Sequence, residues 1–132
     1  MGVSHASLRV LVVDDEALIR WSIVETLARA GHVVVEAGDA ATAVRRLTEE
    51  REPVDVVLVD YRLPDSNGLD LVTTIRQRSP GSAVVLMTAY GTPEVIAGAL
   101  DLGVHRVLSK PFDMDDLASV VLDADHTRPG GV

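Results

Sequence analysis

Apolar residues follow two rhythms along this chain. Short, nearly continuous runs rich in β-branched residues recur at Val10 to Val13, Val33 to Val35, Val54 to Val59, Ala83 to Met87 and Val104 to Leu108, and each predicts a strand. Between and after them apolar residues return at i, i+3, i+4, i+7: Ala40, Ala43, Val44, Leu47; Gly68, Leu71, Val72, Ile75; Ile96, Ala99, Leu100, Gly103; Leu117, Val120, Val121, Ala124. That spacing predicts amphipathic helices. A further helix is expected over about Glu16 to Ala30, with Ala17, Trp21, Val24 and Ala28 on one side and Gly31 as its stop; this phase puts Trp21 in the core. Helix starts are signalled by Asp39 before Ala40, by Thr92 before Pro93, and by Asp113 with Asp116 three residues on, an acidic capping box. Strands and helices alternating at this distance build βαβ units, and nearly continuous apolar strands belong to a parallel sheet covered on both faces. The expected architecture is a doubly wound α/β (βα)5 sandwich around a five-stranded parallel sheet. In its fourth helix Ala97, Gly98, Ala99 and Gly103 leave few large anchors, which fits either close packing or a helix that shifts at low cost.

Composition narrows the class. A length of 132 residues predicts one domain, taken as residues 9–125, with an N-terminal tail at 1–8 and a tail or the start of a linker at 126–132, where Pro129-Gly130-Gly131 stand. An apolar fraction of 47% against 24% charged supplies a core and excludes a disordered chain. The absence of cysteine excludes disulfide scaffolds, thiolate zinc sites and cysteine nucleophiles together. No apolar run approaches the ~20 residues of a bilayer span, and Met1 to Ser7 lack the basic and apolar segments of a signal peptide, so a cytoplasmic location without membrane contact is expected. Met1-Gly2 opens like a myristoylation signal, but Ala6 stands where Ser or Thr is required. With 12 Lys+Arg against 20 Asp+Glu the net charge is −8, which argues against direct nucleic-acid binding.

In open parallel sheets ligands bind beyond the carboxyl ends of the strands, so the residues after each apolar run carry the chemistry. The first run is followed by Asp14, Asp15 and Glu16, the third by Asp60, the fourth by Thr88 and Ala89, the fifth by Ser109 and Lys110. Read singly these are strand ends, caps and turn residues. Read together they are harder to dismiss, because strands one and three are expected to be neighbours. Two carboxylates at ~4 Å repel by roughly 4 kcal/mol at an effective dielectric of ~20, about three pKa units of one group. A protonated acid would relieve that; so would Mg²⁺, which prefers oxygen ligands from acids and a backbone carbonyl, with Lys110 as a second cation. Such a set suits phosphoryl transfer, where positioning and charge neutralisation do most of the work. No histidine stands at a strand's carboxyl end: His5 and His126 fall in the tails, while His32 and His105 open strands two and five and are expected on the surface. A carboxylate can itself accept a phosphoryl group, and Asp60, directly beyond Val56-Val57-Leu58-Val59, is the best-placed candidate.

From about Arg9 to Ala124 the chain resembles the receiver domain of two-component response regulators. The resemblance rests on Leu11-Val12-Val13-Asp14-Asp15-Glu16, on Val59-Asp60-Tyr61-Arg62-Leu63-Pro64 with Asn67-Gly68, on Met87-Thr88-Ala89-Tyr90-Gly91, and on Leu108-Ser109-Lys110-Pro111-Phe112. Ile19-Arg20-Trp21 and the segment around Thr88 look most like receivers of nitrogen-regulator-type transcription activators. The resemblance implies the flavodoxin-like strand order 2-1-3-4-5 and the following roles. Asp60 accepts phosphate from a sensor histidine kinase. Asp15, Asp60 and the backbone carbonyl of Arg62 hold Mg²⁺, with Asp14 assisting through a water. Lys110 contacts the phosphoryl oxygens, the Thr88 hydroxyl moves toward them as the switch, and Ala89 leaves them accessible. It also implies an output face on the last two helices and strand five, serving a homodimer through that face or an output domain outside this chain. One position departs from the family: Val107 stands where a Tyr or Phe commonly swings inward, which directs attention to Tyr90 and Gly91 instead. Arg62 and Tyr90 flank the expected path of water and are read as modulators of hydrolysis.

The expected function is therefore a phosphorylation-dependent switch that assists its own phosphotransfer and slow dephosphorylation without being an enzyme in the turnover sense. The alternative is a receiver that works as a contact module and is never phosphorylated. A haloacid-dehalogenase-type phosphatase fails because Asp14-Asp15-Glu16-Ala17-Leu18 lacks the Asp-x-Asp-x-Thr or Val pattern, and a flavin or nucleotide module fails for want of a Gly- or Ser/Thr-rich cradle after strand one.

Overall fold

A computed structural model describes residues 7–127. Strands and helices alternate as β1 (Arg9–Val13), α1 (Ala17–Arg29), β2 (Val33–Ala37), α2 (Ala40–Glu49), β3 (Val56–Asp60), α3 (Asp70–Arg78), β4 (Ala83–Thr88), α4 (Pro93–Asp101), β5 (Arg106–Ser109) and α5 (Met114–Thr127). All five strands are parallel in the order β2-β1-β3-β4-β5. This is the doubly wound sandwich expected from the sequence. Between β3 and α3 the chain adds a small antiparallel pair, Arg62–Leu63 with Ser66–Asn67, which the apolar pattern did not signal.

Period-2 alternation along the strands divides the core in two. Val10, Val12, Val56, Leu58, Val85 and Met87 face α1 and α5, where Ile23, Leu27, Leu117 and Val121 meet them. Leu11, Val13, Val57, Val59, Val84 and Leu86 face the other layer, with Ala43, Leu71, Val72, Ile75 and Ala99. Every residue of β3 and β4 is buried. Their terminal residues are thus held by strands without rotational freedom, which is what a site built at strand ends needs.

The phase of α1 differs from expectation. Ile23 and Leu27 are buried and Ile19 packs beside them, whereas Ala17 and Ala28 are exposed and Trp21 is 59% exposed. Spacing alone was ambiguous because α1 is apolar on both sides; the line of long aliphatic side chains took the sheet and turned Trp21 outward. His32, expected on the surface, is buried, and its Nδ1 accepts from the Leu8 N–H at 3.2 Å. Leu8, assigned to the tail, is buried too, and His126 lies in the last turn of α5. His5 and the Pro129-Gly130-Gly131 stretch lie outside the described residues.

Asp39 accepts from the Thr42 N–H (2.7 Å), Thr92 from Val95 (3.3 Å) and Asp113 from Asp115 (3.0 Å), so each signalled start is capped by the acid or hydroxyl that announced it. Gly31 ends α1 with φ +94°. In α4 a Cβ built on Gly98 would stand 2.9 Å from Leu69 Cδ1, so this helix is seated on Leu69 by bare backbone. Among the described residues no helix is long and apolar enough to cross a membrane.

Candidate functional site

The carboxyl rim collects the polar ends of β1, β3, β4 and β5. Asp14 is fully buried; its N–H donates to the Ala37 carbonyl (3.1 Å), and its Oδ1 accepts from the Glu16 N–H (2.9 Å). Asp60, 7% exposed, is the last residue of β3, and its Oδ1 accepts from the Arg62 N–H at 3.2 Å. The Lys110 N–H donates to the Thr88 carbonyl (2.8 Å), which locks the ends of β4 and β5 together. The Lys110–Pro111 peptide is cis. From there the Lys110 ammonium donates to Asp14 Oδ2 (2.9 Å), Asp60 Oδ2 (2.9 Å) and Glu16 Oε1 (3.3 Å).

Carboxylate oxygens of Asp14, Asp15 and Asp60 all lie within 4.8 Å of one another. Asp15 is exposed and faces solvent at the mouth. Negative charge therefore exceeds what the Lys110 ammonium alone balances. Burial raises the Asp60 carboxyl above its ordinary value, against the opposing pull of Lys110 and the Arg62 N–H, and the neighbouring Asp14 charge adds to the rise. For Lys110 burial disfavours the ammonium, but the hydrogen bonds to Asp14 and Asp60 and their charges outweigh it, so its value lies above the ordinary lysine range.

Asp15, Glu16, Asp60, Thr88 and Lys110 line a pocket of about 330 Å³, with Arg62, Ala89 and Tyr90 at its lip. Thr88 is buried, and its Oγ1 accepts from the Tyr90 N–H at 3.0 Å. The Tyr90 ring is 60% exposed and the Arg62 guanidinium stacks over it, 4.5 Å from its centroid. Val107 is partly buried and packs with the core on the side of α2, α3 and α4. Of the residues singled out at strand ends, Asp15, Glu16, Asp60, Thr88, Ala89 and Lys110 line this one pocket, Asp14 is buried behind it on Lys110, and Ser109 does not line it.

Two contributors had been given no role. Glu16 supplies a third carboxylate to Lys110, and its place beside the acid pair was the available signal. Arg20, about one helical turn later, donates from Nη1 to the Asp14 carbonyl (2.6 Å) and from Nε to Glu36 Oε1 (3.0 Å). Gly38 leaves room for that guanidinium, since a Cβ there would stand 3.3 Å from Nη1.

Sheet order and rim together define a doubly wound α/β domain organised around a carboxylate-lined pocket. Residues 10–122 match the family model described as the response regulator receiver domain, and the chain belongs to that family. It is 40% identical over 120 residues to the response regulator protein PilR of Pseudomonas aeruginosa, covering 91% of this chain and 26% of that protein. It is 37% identical over 112 residues to the DNA-binding transcriptional regulator NtrC of Azospirillum brasilense, covering 85% and 23%. The chain thus spans about a quarter of the length of these relatives. Among solved structures, a CheY-like receiver domain protein from Methanospirillum hungatei superposes with a TM-score of 0.84 at 27% identity, covering 91% of this chain and 94% of that one. The beryllofluoride-activated NtrC4 receiver domain dimer superposes with a TM-score of 0.81 at 30% identity, covering 89% and 96%.

Proposed function

We propose that this receiver is a cytoplasmic, phosphorylation-dependent switch in which Asp60 takes a phosphoryl group from a phosphohistidine of a sensor histidine kinase. The observation that carries this reading is the placement of Asp60: a buried carboxylate at a pocket mouth, one oxygen on the Lys110 ammonium and the other on the Arg62 N–H. An Asp60 oxygen forms the new bond to phosphorus, the P–N bond of the donor breaks, and the imidazole leaves with a proton. Asp60 acts in its ionised form, and burial raises its carboxyl above the ordinary value, so uptake falls at a higher pH than an exposed aspartate would give.

The donor set is all oxygen and carries surplus negative charge, which fits Mg²⁺. Asp15, Asp60 and the Arg62 carbonyl would hold it, Asp14 assisting through a water, and it would neutralise charge on the carboxylates and the phosphoryl oxygens. Lys110 turns from Asp60 toward the phosphoryl oxygens as charge moves onto them. The Thr88 hydroxyl donates its proton to the same group; because Thr88 Oγ1 also holds the Tyr90 N–H, its displacement draws on residues 89–91 and on the start of α4. Val107 offers no ring to swing, so this loop carries the change. Ala89 leaves the group open, while the Arg62–Tyr90 stack covers the lip and slows hydrolysis. Turnover on outside substrates is no part of this role. The response leaves through α4, β5 and α5, to a second copy of the domain or to an output domain of a longer regulator, as the lengths of NtrC and PilR suggest.

The deciding experiment is intact mass after incubation with acetyl phosphate and Mg²⁺, beside Asp60→Asn and a metal-free control. One added phosphoryl group that requires both Asp60 and Mg²⁺ is the expected result. No addition to a folded sample would leave the contact-module alternative in its place.

A further inference from the structure

The turn of the small hairpin, Pro64-Asp65, ends on another helix, at the start of α2 beyond the carboxyl end of β2. Asp65 accepts from the Ala40 N–H at Oδ1 (2.8 Å) and from the Ala41 N–H at Oδ2 (3.0 Å). A helix begins with four N–H groups that have no partner inside it. In α2 the first helical bond runs from the Ala43 N–H to the Asp39 carbonyl (3.1 Å); of the groups ahead of it, that of Thr42 goes to the Asp39 side chain (2.7 Å) and those of Ala40 and Ala41 go to Asp65. Two of these three are thus held by an acid from a distant loop. Charge-assisted bonds at a helix N-terminus, with the dipole in their favour, make this a firm tie.

What the tie restrains is the segment that carries the Arg62 carbonyl. That segment leaves β3 with the Tyr61 N–H on the Met87 carbonyl (2.8 Å), buries Leu63, pairs Arg62 with Asn67 and Leu63 with Ser66, and then meets α2 through Asp65. The α2 end is joined in turn to the acid pair, because Ala37, two residues before Asp39, accepts from the Asp14 N–H. The two walls of the pocket, Asp14-Asp15 on one side and Asp60 to Arg62 on the other, are therefore connected across the turn between β2 and α2, and Asp65 closes the circuit.

We propose that Asp65 is a positioning residue that sets the Arg62 carbonyl against the carboxylates of Asp14, Asp15 and Asp60, and so sets the affinity of the pocket for a hard divalent cation. The proposal rests on the Mg²⁺ reading given above. Asp65 is not a ligand in this account: its two oxygens are engaged by Ala40 and Ala41, and removing it leaves the Asp39 cap in place.

The test uses the full chain as wild type, Asp65→Ala and Asp65→Asn, the last keeping an acceptor oxygen without the charge. Amide hydrogen exchange in metal-free protein reads the tie itself: in Asp65→Ala, Ala40, Ala41 and the hairpin amides should lose protection. Calorimetric titration with Mg²⁺ reads the consequence: Kd should weaken about tenfold in Asp65→Ala, the low end for groups that orient a ligand, with clear recovery in Asp65→Asn. The ratio should persist at about 0.5 M salt, where the field of an exposed acid is screened. Unchanged Kd in Asp65→Ala overturns the proposal. So does an equal loss in both variants that vanishes with salt, which is surface charge and not positioning. If wild type itself shows no Mg²⁺ binding, the metal reading falls, and the exchange data show separately whether the tie exists.

Discussion

At the amino rim of the sheet His32 takes the Leu8 N–H, Asp55 takes that of Arg9 (2.8 Å), the Arg9 guanidinium pairs with Glu50, and the Ser82 hydroxyl bonds to the Val54 carbonyl beside Ser79. His105, at the start of β5, sits between Asp123 (3.0 Å) and Thr127 (2.8 Å). At the carboxyl rim Asp14, Asp60 and Glu16 gather on the Lys110 ammonium, with Asp15 beside the acid pair. Burial of polar groups is common to both ends, so burial does not mark the site. The difference is that the amino rim pairs most of its polar groups, the buried Arg9 Nε excepted, whereas the carboxyl rim holds like charges together around one ammonium.

The comparison breaks most completely at Asp60. Asp60→Asn should abolish phosphoryl uptake and also remove a pH dependence. A carboxyl raised in the folded state binds its proton more tightly there than in the unfolded chain, so the Asp60 contribution to stability rises as pH falls through its raised value toward the ordinary carboxylate range, read as wild type minus variant. Denaturant titration across that window should show this gain in wild type and its absence in the variant. Next is Lys110→Met, which leaves Asp14 and Asp60 without their ammonium. A loss of about 3–5 kcal/mol is expected at neutral pH, partly recovered on adding Mg²⁺ and measured by the same titration. On the amino rim, Ser82→Ala should lower stability by about 1–3 kcal/mol through an unpaired Val54 carbonyl, yet leave the mass gain with acetyl phosphate intact. Smallest is Tyr90→Ala. An exposed cation–π stack contributes about 0.5–1 kcal/mol, so the acyl-phosphate lifetime should shorten roughly two- to fivefold with little change in stability. Arg62→Asn should do the same, and an unchanged lifetime in both would remove the lip from the account.

The strands and the rim residues were legible because each rim residue sits at the end of an apolar run, and a parallel sheet brings such ends together whatever the helices do; the strand order came from the family resemblance. The face of α1 was not, since Ala17, Trp21, Val24 and Ala28 keep helical spacing as well as Ile19, Ile23 and Leu27 do; only the packing of longer aliphatic chains against the sheet chose between them. His32 was misjudged for a related reason. Its burial depends on the Leu8 amide, 24 residues away, and no local pattern announces such a partner. Asp65 belongs with it. The Pro64-Asp65 pair could have signalled a turn, but the two alanine amides that give the acid its role come from the start of another helix.

The seat of α4 on Leu69 has a mechanical meaning. Helices that interdigitate move in steps, because side chains must clear one row of grooves before entering the next. Gly98 presents no side chain of its own but receives that of Leu69, whose Cδ1 lies 2.9 Å from where a Cβ would stand. The contact is a keyed seat: a leucine on the α3 side fills a notch in α4, and any side chain at position 98 would have to lift the helix off it.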